Sequence, residues 1–591
     1  MFKDLKQTWD LDAFFPGGSQ SPQFAAFLEA LEGDVQALAA RAAQPIAGQE
    51  AWAAIIDEMQ DVGARLRQAS AFVSCLNAQN VRDRQAQALN GRVRQLAAVN
   101  ASVMTTLDQQ LVEMPEQAWN TLLGSEKFQP LAFNLSERRT RAQEMLPPEQ
   151  EKLVNSLAVD GYQGWSDLYN QVSGQLTVPV EENGKVLRLS AGQAANRMSH
   201  SDRAVRQQVF ENWEEAWASV ADACALALNH LAGFRLNLYA HRGWDSVLQE
   251  PLEINRMTAA TLDAMWGAVD SRKDRLVTYL RRRQELLGLD GLSWHDLGAP
   301  IGSSGTRLTY DAAAEFIVQQ FAKFNPALAE FATKAFQDRW IEAEDRPGKR
   351  AGGFCTSFPV SKQSRIFVTF SGTMGNLATL AHELGHGYHQ SLMGELPYLT
   401  QRYAMNVAET ASTFAELLVA DAALQHAADE TERIALMDDK LQRAVSLTMN
   451  IQSRFLFETR FYEERRRGMV PVARLNELME QAQRDAYANA LVEYHPHFWA
   501  SKLHFYNTGV PFYNFPYTFG YLFSSGVYQR AVEEGPAFRE KYDALLRDTG
   551  RLRVEDLAQR HLGVDLTQPE FWQGALDFAL ADLDEFLRLT R

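Results

Sequence analysis

Residues 382–386 read His382-Glu383-Leu384-Gly385-His386, and this H-E-x-x-H stretch governs how the rest of the 591-residue chain is read. On a helix, positions four apart share a face, so both imidazoles can turn toward one metal ion. Glu383 follows the first histidine, where its carboxylate reaches a water beside that metal. Two histidines, a third protein ligand and an open position make a catalytic zinc site rather than a structural one. Histidine is scarce, 12 in the whole chain, so the pairing is not a by-product of composition. The competing reading is an ordinary helix that carries two histidines.

Upstream, Arg365-Ile366-Phe367-Val368-Thr369-Phe370 is β-branched and aromatic and predicts a strand. Ser371-Gly372-Thr373 and Gly375-Asn376 end it and start a helix. Leu377, Leu380, Ala381 and Leu384 give that helix an apolar face, and Gly394 and Pro397 mark its end. A sheet edge beside a metal can pair with an extended peptide and hold its scissile bond over the ion. Phe367 and Val368 are therefore candidate peptide contacts. The loop before the strand runs Asp345-Arg346-Pro347-Gly348-Lys349-Arg350-Ala351-Gly352-Gly353. Gly352 and Gly353 either let backbone approach a bound peptide or form a plain surface loop; with Phe354 they complete the candidate contacts here.

Downstream, Asn406-Val407-Ala408-Glu409-Thr410-Ala411-Ser412-Thr413-Phe414-Ala415-Glu416-Leu417-Leu418 is helical in pattern and begins 20 residues after His386. That spacing suits a helix-loop-helix return. Glu409 is assigned as the third metal ligand. Glu416, seven residues on, shares its face and either orients a ligand histidine through the other ring nitrogen or is an ordinary acid. His389 lies two turns from His382, too far to share one ion, and is read as packed or hydrogen-bonded. From His504 to Tyr528, 10 of 25 residues are Phe or Tyr, against 10% for Phe, Tyr and Trp together in the whole chain. Most of the phenylalanines read as core, but a buried phenol needs a partner. Tyr513, Tyr517 and Tyr521 recur every four residues. His504 with one or two of these tyrosines is the candidate donor set for a tetrahedral oxyanion, and Tyr513 is also a candidate substrate contact. His495 and His497 flank Pro496 in a turn and are given a packing role only.

His382-Glu383-Leu384-Gly385-His386-Gly387-Tyr388-His389, followed by Val407-Ala408-Glu409-Thr410-Ala411-Ser412, resembles the oligoendopeptidase F branch of the thimet-oligopeptidase family. So do Lys502-Leu503-His504-Phe505-Tyr506, the aromatic run Phe512 to Phe523, and the loop Gly352-Gly353-Phe354-Cys355. The likeness covers residues near 190–580. It implies a zinc metallopeptidase of gluzincin type acting on short peptides. The implied fold is mainly α, with two helical lobes enclosing a deep substrate channel and a small β-sheet beside the active-site helix. It also implies His382, His386 and Glu409 as ligands of one zinc ion per chain and Glu383 as general base. The tyrosine loop differs in length from the thimet type.

Composition agrees with an enzyme of this kind. A 46% hydrophobic, 22% charged chain is globular, and a net charge of −16 argues against nucleic-acid binding. Cys75, Cys224 and Cys355 are an odd, sparse set, which points to a reducing compartment rather than a disulfide framework. No apolar signal core opens the chain and no run of 18 apolar residues spans a membrane, so a cytoplasmic location is expected. Helical periodicity dominates 22–43, 49–112, 116–173, 201–241, 257–287, 425–490 and 555–590. Gln175–Val180 and Lys185–Leu189 flank Glu182-Asn183-Gly184 and predict a β-hairpin. It sets the expected boundary between an N-terminal helical lobe, 1–185, and a catalytic region, 186–591. The expected activity is endopeptidase action on unstructured oligopeptides. A carboxypeptidase or dipeptidyl carboxypeptidase on the same fold, and a peptide-binding protein with structural zinc, are the alternatives. Zinc, manganese and cobalt accept similar ligands.

Overall fold

The computed structural model describes residues 2–182, 184–302 and 307–591. It is mainly helical, as the periodicity predicts, and the described residues include five strands: β1 (Thr177–Glu182), β2 (Lys185–Ser190), β3 (Ile341–Glu342), β4 (Phe354–Phe358) and β5 (Gln363–Phe367). Two compact units divide the chain. The first comprises Met1–Met145, Thr306–Ala423 and Val527–Gly563, the second Leu146–Gly305, Leu424–Gly526 and Val564–Arg591. Each unit draws on three separate stretches of the sequence. The reason lies in the first unit, where the sheet formed by residues 341–367 buries one face against the N-terminal helices.

In that unit, helices Pro22–Ala42, Gln49–Gln79 and Arg84–Glu113 carry apolar residues at helical spacing into a shared core. The periodic run from 49 breaks at residues 80–83, where Asp83 caps the next helix by accepting from the Ala86 amide (3.0 Å). The sheet order is β3-β5-β4, with β5 parallel to β3 and antiparallel to β4. Trp9 packs on Phe367 (5.6 Å), Phe354 stacks on Phe367 (5.2 Å) and Phe14 on Phe358 (4.0 Å). β5 is therefore a central strand and ends earlier than expected. Past its end, the amides of Val368 and Phe370 donate to the carbonyls of Glu342 and Ala343, each at 2.9 Å. The edges of this sheet are β3 and β4, not the strand that precedes the H-E-x-x-H helix.

Helix Met374–Met393 follows. Thr373 starts it with a reciprocal cap, accepting from the Asn376 amide (3.1 Å) and donating its own amide to the Asn376 side chain (3.4 Å). Its predicted apolar face, Leu377, Leu380, Ala381 and Leu384, is fully buried, and Gly394 caps its end. Helix Met405–Gln425 returns beside it. The two backbones meet at Gly385, where a methyl group would stand 2.7 Å from Ser412 Cα and closer still to the Ala411 carbonyl oxygen. No side chain fits there.

In the second unit, β1 and β2 pair antiparallel from Thr177↔Ser190 to Glu182↔Lys185, as predicted; Asn183, in the expected turn, lies outside the described residues. The 39-residue helix Arg203–His241 is its longest. The run predicted over 257–287 is two helices, Ala259–Ser271 and Lys273–Leu286, parted at Arg272. Helix Glu430–Val445 passes through a π-turn, Ser446–Asn450, into helix Ile451–Arg465. Among the described residues no helix is long and apolar enough to cross a membrane.

The backbone contact at Gly385 generates a prediction. Gly385→Ala forces the two helices apart and destabilises the protein by about 1–3 kcal/mol, read as a lowered thermal midpoint together with loss of bound metal in elemental analysis.

Candidate metal centre

The helix contact at Gly385 brings three ligand-type side chains together. His382, His386 and Glu409 each offer one ligand atom, and these atoms lie within 4.8 Å of one another. Glu409 Oε2 is 3.2 Å from His382 Nε2 and 3.6 Å from His386 Nε2. The imidazoles stand nearly perpendicular, 84°, with centroids 4.9 Å apart. Glu416 Oε2 lies 3.1 Å from His382 Nδ1. A ring nitrogen held by a carboxylate carries its proton there, which leaves Nε2 with a lone pair for a metal. Ser412 Oγ donates to Glu409 Oε2 (2.8 Å) and fixes that carboxylate from within its own helix.

Charge in this group is arranged for a cation. Burial works against a charged His382, but hydrogen bonds to Glu409 and Glu416 outweigh it and push its pKa up to about 10, so a metal taking Nε2 must displace the proton held between that nitrogen and Glu409. Burial likewise opposes ionised Glu409, yet the His382 hydrogen bond and both imidazoles bring it down to about 2. At His386 burial dominates, and its pKa falls to about 4, so this imidazole is neutral and able to ligate. Two nitrogens and a carboxylate oxygen, backed by a second carboxylate, form the donor set that suits a catalytic zinc.

Glu383 is on the same helix and nearly buried, 7% exposed, and its Oε2 has no hydrogen-bond partner. Burial raises its pKa to about 7 against the pull of His382. A methyl on Gly353 would stand 3.2 Å from Glu383 Oε1 and 3.2 Å from the Phe367 carbonyl oxygen. The loop glycine therefore lets backbone close on this carboxylate. Gly352 beside it is exposed, with φ +90°. Phe367 and Val368 are buried, and the Val368 carbonyl accepts from Lys349 Nζ (2.9 Å). Phe354 is half-buried against Phe367 and Trp9. These three side chains serve the sheet core, while Gly353 is the loop residue that comes up against Glu383.

His389 is buried and bonded through Nε2 to Thr549 Oγ1 (2.8 Å) and the Leu546 carbonyl (3.2 Å), in keeping with a packed, non-ligating role. Cys355 faces the same helix, 3.8 Å from where a Gly387 methyl would stand, and burial pushes its thiol pKa well up, so it is an inert filler. His495 and His497 do more than pack, since both ring Nδ1 atoms meet Glu214, His497 at 2.7 Å.

The aromatic cluster is built in the second unit. His504 stacks on Tyr513 (5.3 Å), with Tyr517 edge-on to His504 (5.9 Å) and tilted against Tyr513 (5.4 Å). Tyr517 and the buried Tyr521 lie on helix Phe515–Glu534. Pro516 stands in its first turn, where no amide donor is needed. Phe512 holds a left-handed φ of +52°, a strained turn for a bulky residue that aims Tyr513 at His504.

Sequence reasoning passed over two contributors, Gly385 and Ser412. A glycine inside an otherwise apolar helix was the signal for the first. A serine three residues after Glu409, on the same helix face, is the signal for the second.

Comparison with known proteins follows the same lines. The profile of Peptidase family M3 matches residues 197–578, and that of Oligopeptidase F matches 110–177. The plasmid-borne oligoendopeptidase F of Lactococcus lactis subsp. cremoris is 23% identical over 548 residues, 91% of this chain and 90% of the relative. A candidate peptidase of Chlamydophila abortus has the same fold, with a TM-score of 0.84 at 18% identity over 99% of this chain and 98% of that one. Oligoendopeptidase-F of Enterococcus faecium gives 0.72 at 18% identity over 96% and 98%.

Glu416→Gln keeps the fold but weakens metal affinity about 10–100-fold, measured by competition with a chelator of known affinity.

Proposed function

The chain belongs to peptidase family M3, and on that premise we propose that it is a zinc endopeptidase cutting internal bonds of short, unstructured oligopeptides. The observation that carries the reading is the His382, His386 and Glu409 group with the unpartnered carboxylate oxygen of Glu383 beside it. His382, His386 and Glu409 would hold one zinc ion per chain, with Glu416 orienting His382. Zinc bound there supplies a positive charge that lowers the pKa of a water toward ~7 and polarises a carbonyl.

Glu383 is the general base. Its carboxylate takes a proton from the attacking water and returns it to the amine that leaves as the C–N bond breaks. One product ends in a carboxylate and the other begins with an amine, so the water is fully accounted for. Gly353 brings backbone to this carboxylate, which supports a peptide running along the free edge of β4. His504 and a tyrosine among Tyr513, Tyr517 and Tyr521 are proposed as donors to the oxyanion. Their clustering supports this, as does burial, which lowers the His504 pKa to about 4 and keeps the ring neutral. The peptidase chemistry is assigned to residues 186–591, a choice supported by the match over 197–578, with 1–185 as supporting helices. A cytoplasmic location is part of the same reading, supported by three free thiols.

Hydrolysis of an internally quenched peptide, with products identified by mass spectrometry, is the test. Internal cuts are expected to stop on chelation and return with zinc, and release of terminal residues alone would replace the reading with an exopeptidase. Glu383→Gln is expected to retain zinc without turnover, while His382→Ala and Glu409→Ala lose both. Tyr517→Phe or Tyr521→Phe is expected to lower kcat about 10²–10³-fold; if both leave kcat intact, the oxyanion assignment fails.

A further inference from the structure

A cavity of about 540 Å³ lies within the first unit, and among the described residues neither the metal ligands nor Glu383 line it. Helices Gln49–Gln79, Arg84–Glu113 and Ala132–Gln143 supply part of its lining. The rest comes from β4, the end of helix Met374–Met393 and residues 398–403, the segment that leads into helix Met405–Gln425. Gly63 has no side chain where the ring of Tyr398 approaches; a methyl there would stand 2.7 Å from Tyr398 Cε1. Tyr403 stacks on His389 (4.3 Å), and Gln390 Oε1 accepts from Ser364 Oγ (2.8 Å). These contacts fix the lining to the metal-bearing helix and to the sheet.

The chemistry of this lining is unlike that of the chain. Acidic residues outnumber basic ones 74 to 58, yet the cavity is lined by Arg67, Arg138 and Arg402 and, among the described residues, by no Asp or Glu. Arg67 is exposed and donates to hydroxyls of β4, from Nη2 to Thr356 Oγ1 (3.1 Å) and from Nε to Ser357 Oγ (3.4 Å). Arg138 donates through Nε to Asp108 (2.7 Å), outside the lining, while its Nη2 is buried without a hydrogen-bond partner. Asn100 Oδ1, from the same lining, is buried without one too. Unmet polar atoms cost free energy, so this lining carries one open donor and one open acceptor beside its charges. Met59, Met104, Met393 and Leu399, with the rings of Tyr398 and Tyr403, make up an apolar part. Thioethers and phenol rings adapt to a flat ring laid against them.

We propose that this cavity binds a ring-bearing phosphate monoester of mononucleotide size, at a site separate from the metal centre. Guanidinium groups match phosphate oxygens in geometry and charge. A phosphate monoester carries about −1.5 to −2 charge at neutral pH and offers three acceptor oxygens, enough to engage more than one arginine. The volume falls within the roughly 300–1,000 Å³ of cavities that enclose small organic molecules. The methionines and tyrosines take the ring, and the arginines take the phosphate. The proposal does not depend on the peptidase reading.

The test is calorimetric binding to the full-length, zinc-loaded protein, with adenosine monophosphate and flavin mononucleotide as probes and adenosine, riboflavin and inorganic phosphate as their parts. At least one nucleotide is expected to bind about tenfold or more tightly than its nucleoside and than inorganic phosphate. Arg67→Met is expected to weaken that binding about tenfold. Ala97→Phe, at an exposed helix position of the lining, is expected to abolish it by filling the space. Both replaced side chains are exposed, so an unchanged thermal midpoint separates lost binding from lost folding. Binding of neither nucleotide overturns the proposal. So does inorganic phosphate binding as tightly as the nucleotides, which would mean an adventitious anion only. Undiminished binding in both variants would put the ligand elsewhere and overturn it as well. Displacement of the bound nucleotide by a substrate peptide would overturn the separateness of the site. None of these outcomes is read through turnover, so failure here leaves the peptidase reading where it stands.

Discussion

The approach of two helix backbones at Gly385 is the contact on which the rest of the site depends. Glutamate and histidine side chains reach only a few ångströms from their helices. The ligand atoms of His382, His386 and Glu409 fall within 4.8 Å of each other because nothing but hydrogen separates Gly385 from the Ala411–Ser412 backbone. The same closeness puts Glu416, two turns along, against the far nitrogen of His382. One absent methyl group therefore sets two ligand distances and one orienting hydrogen bond.

Around that contact the charges divide their work. Glu409 and Glu416 each meet an imidazole, so they stabilise positive charge at the centre. Glu383 is turned the other way, toward Gly353 and the sheet, and keeps an oxygen without a partner. Three carboxylates on two helices thus have different jobs, set by what each one faces. The sheet contributes rigidity more than contact surface. Phe354, Phe367 and Phe358 are locked with Trp9 and Phe14, so the loop that ends in Gly353 is anchored on a packed core.

Local pattern made much of this legible. The H-E-x-x-H spacing, the strand before it and the glutamates seven apart are periodic signals, and the structure brings His382, His386, Glu409 and Glu416 together as that periodicity requires. Where the reading slipped, the cause was non-local. Strand order is a matter of partners far along the chain, so nothing in residues 365–370 revealed that β5 is central and β4 an edge. The interleaving of the two units is invisible for the same reason. Glu214, which bridges His495 and His497, lies some 280 residues before them, and a side-chain pattern of two histidines about a proline cannot point to it.

The interleaved build of the first unit also dictates an order of events during synthesis. Asn134 donates to the carbonyl of Gly550, and His389 is held by Leu546 and Thr549, so the N-terminal helices and the H-E-x-x-H helix both close against residues near 550. The core around Trp9, Phe24 and Phe72 gains its last members, Phe358, Phe367 and Leu399, only after some 400 residues have been made, and the hydrogen bonds to residues 546–550 close later still. Contacts of such long sequence separation form late and leave apolar surface uncovered meanwhile. The nascent chain must therefore carry an incomplete first unit through most of translation, with apolar surface open to chaperones.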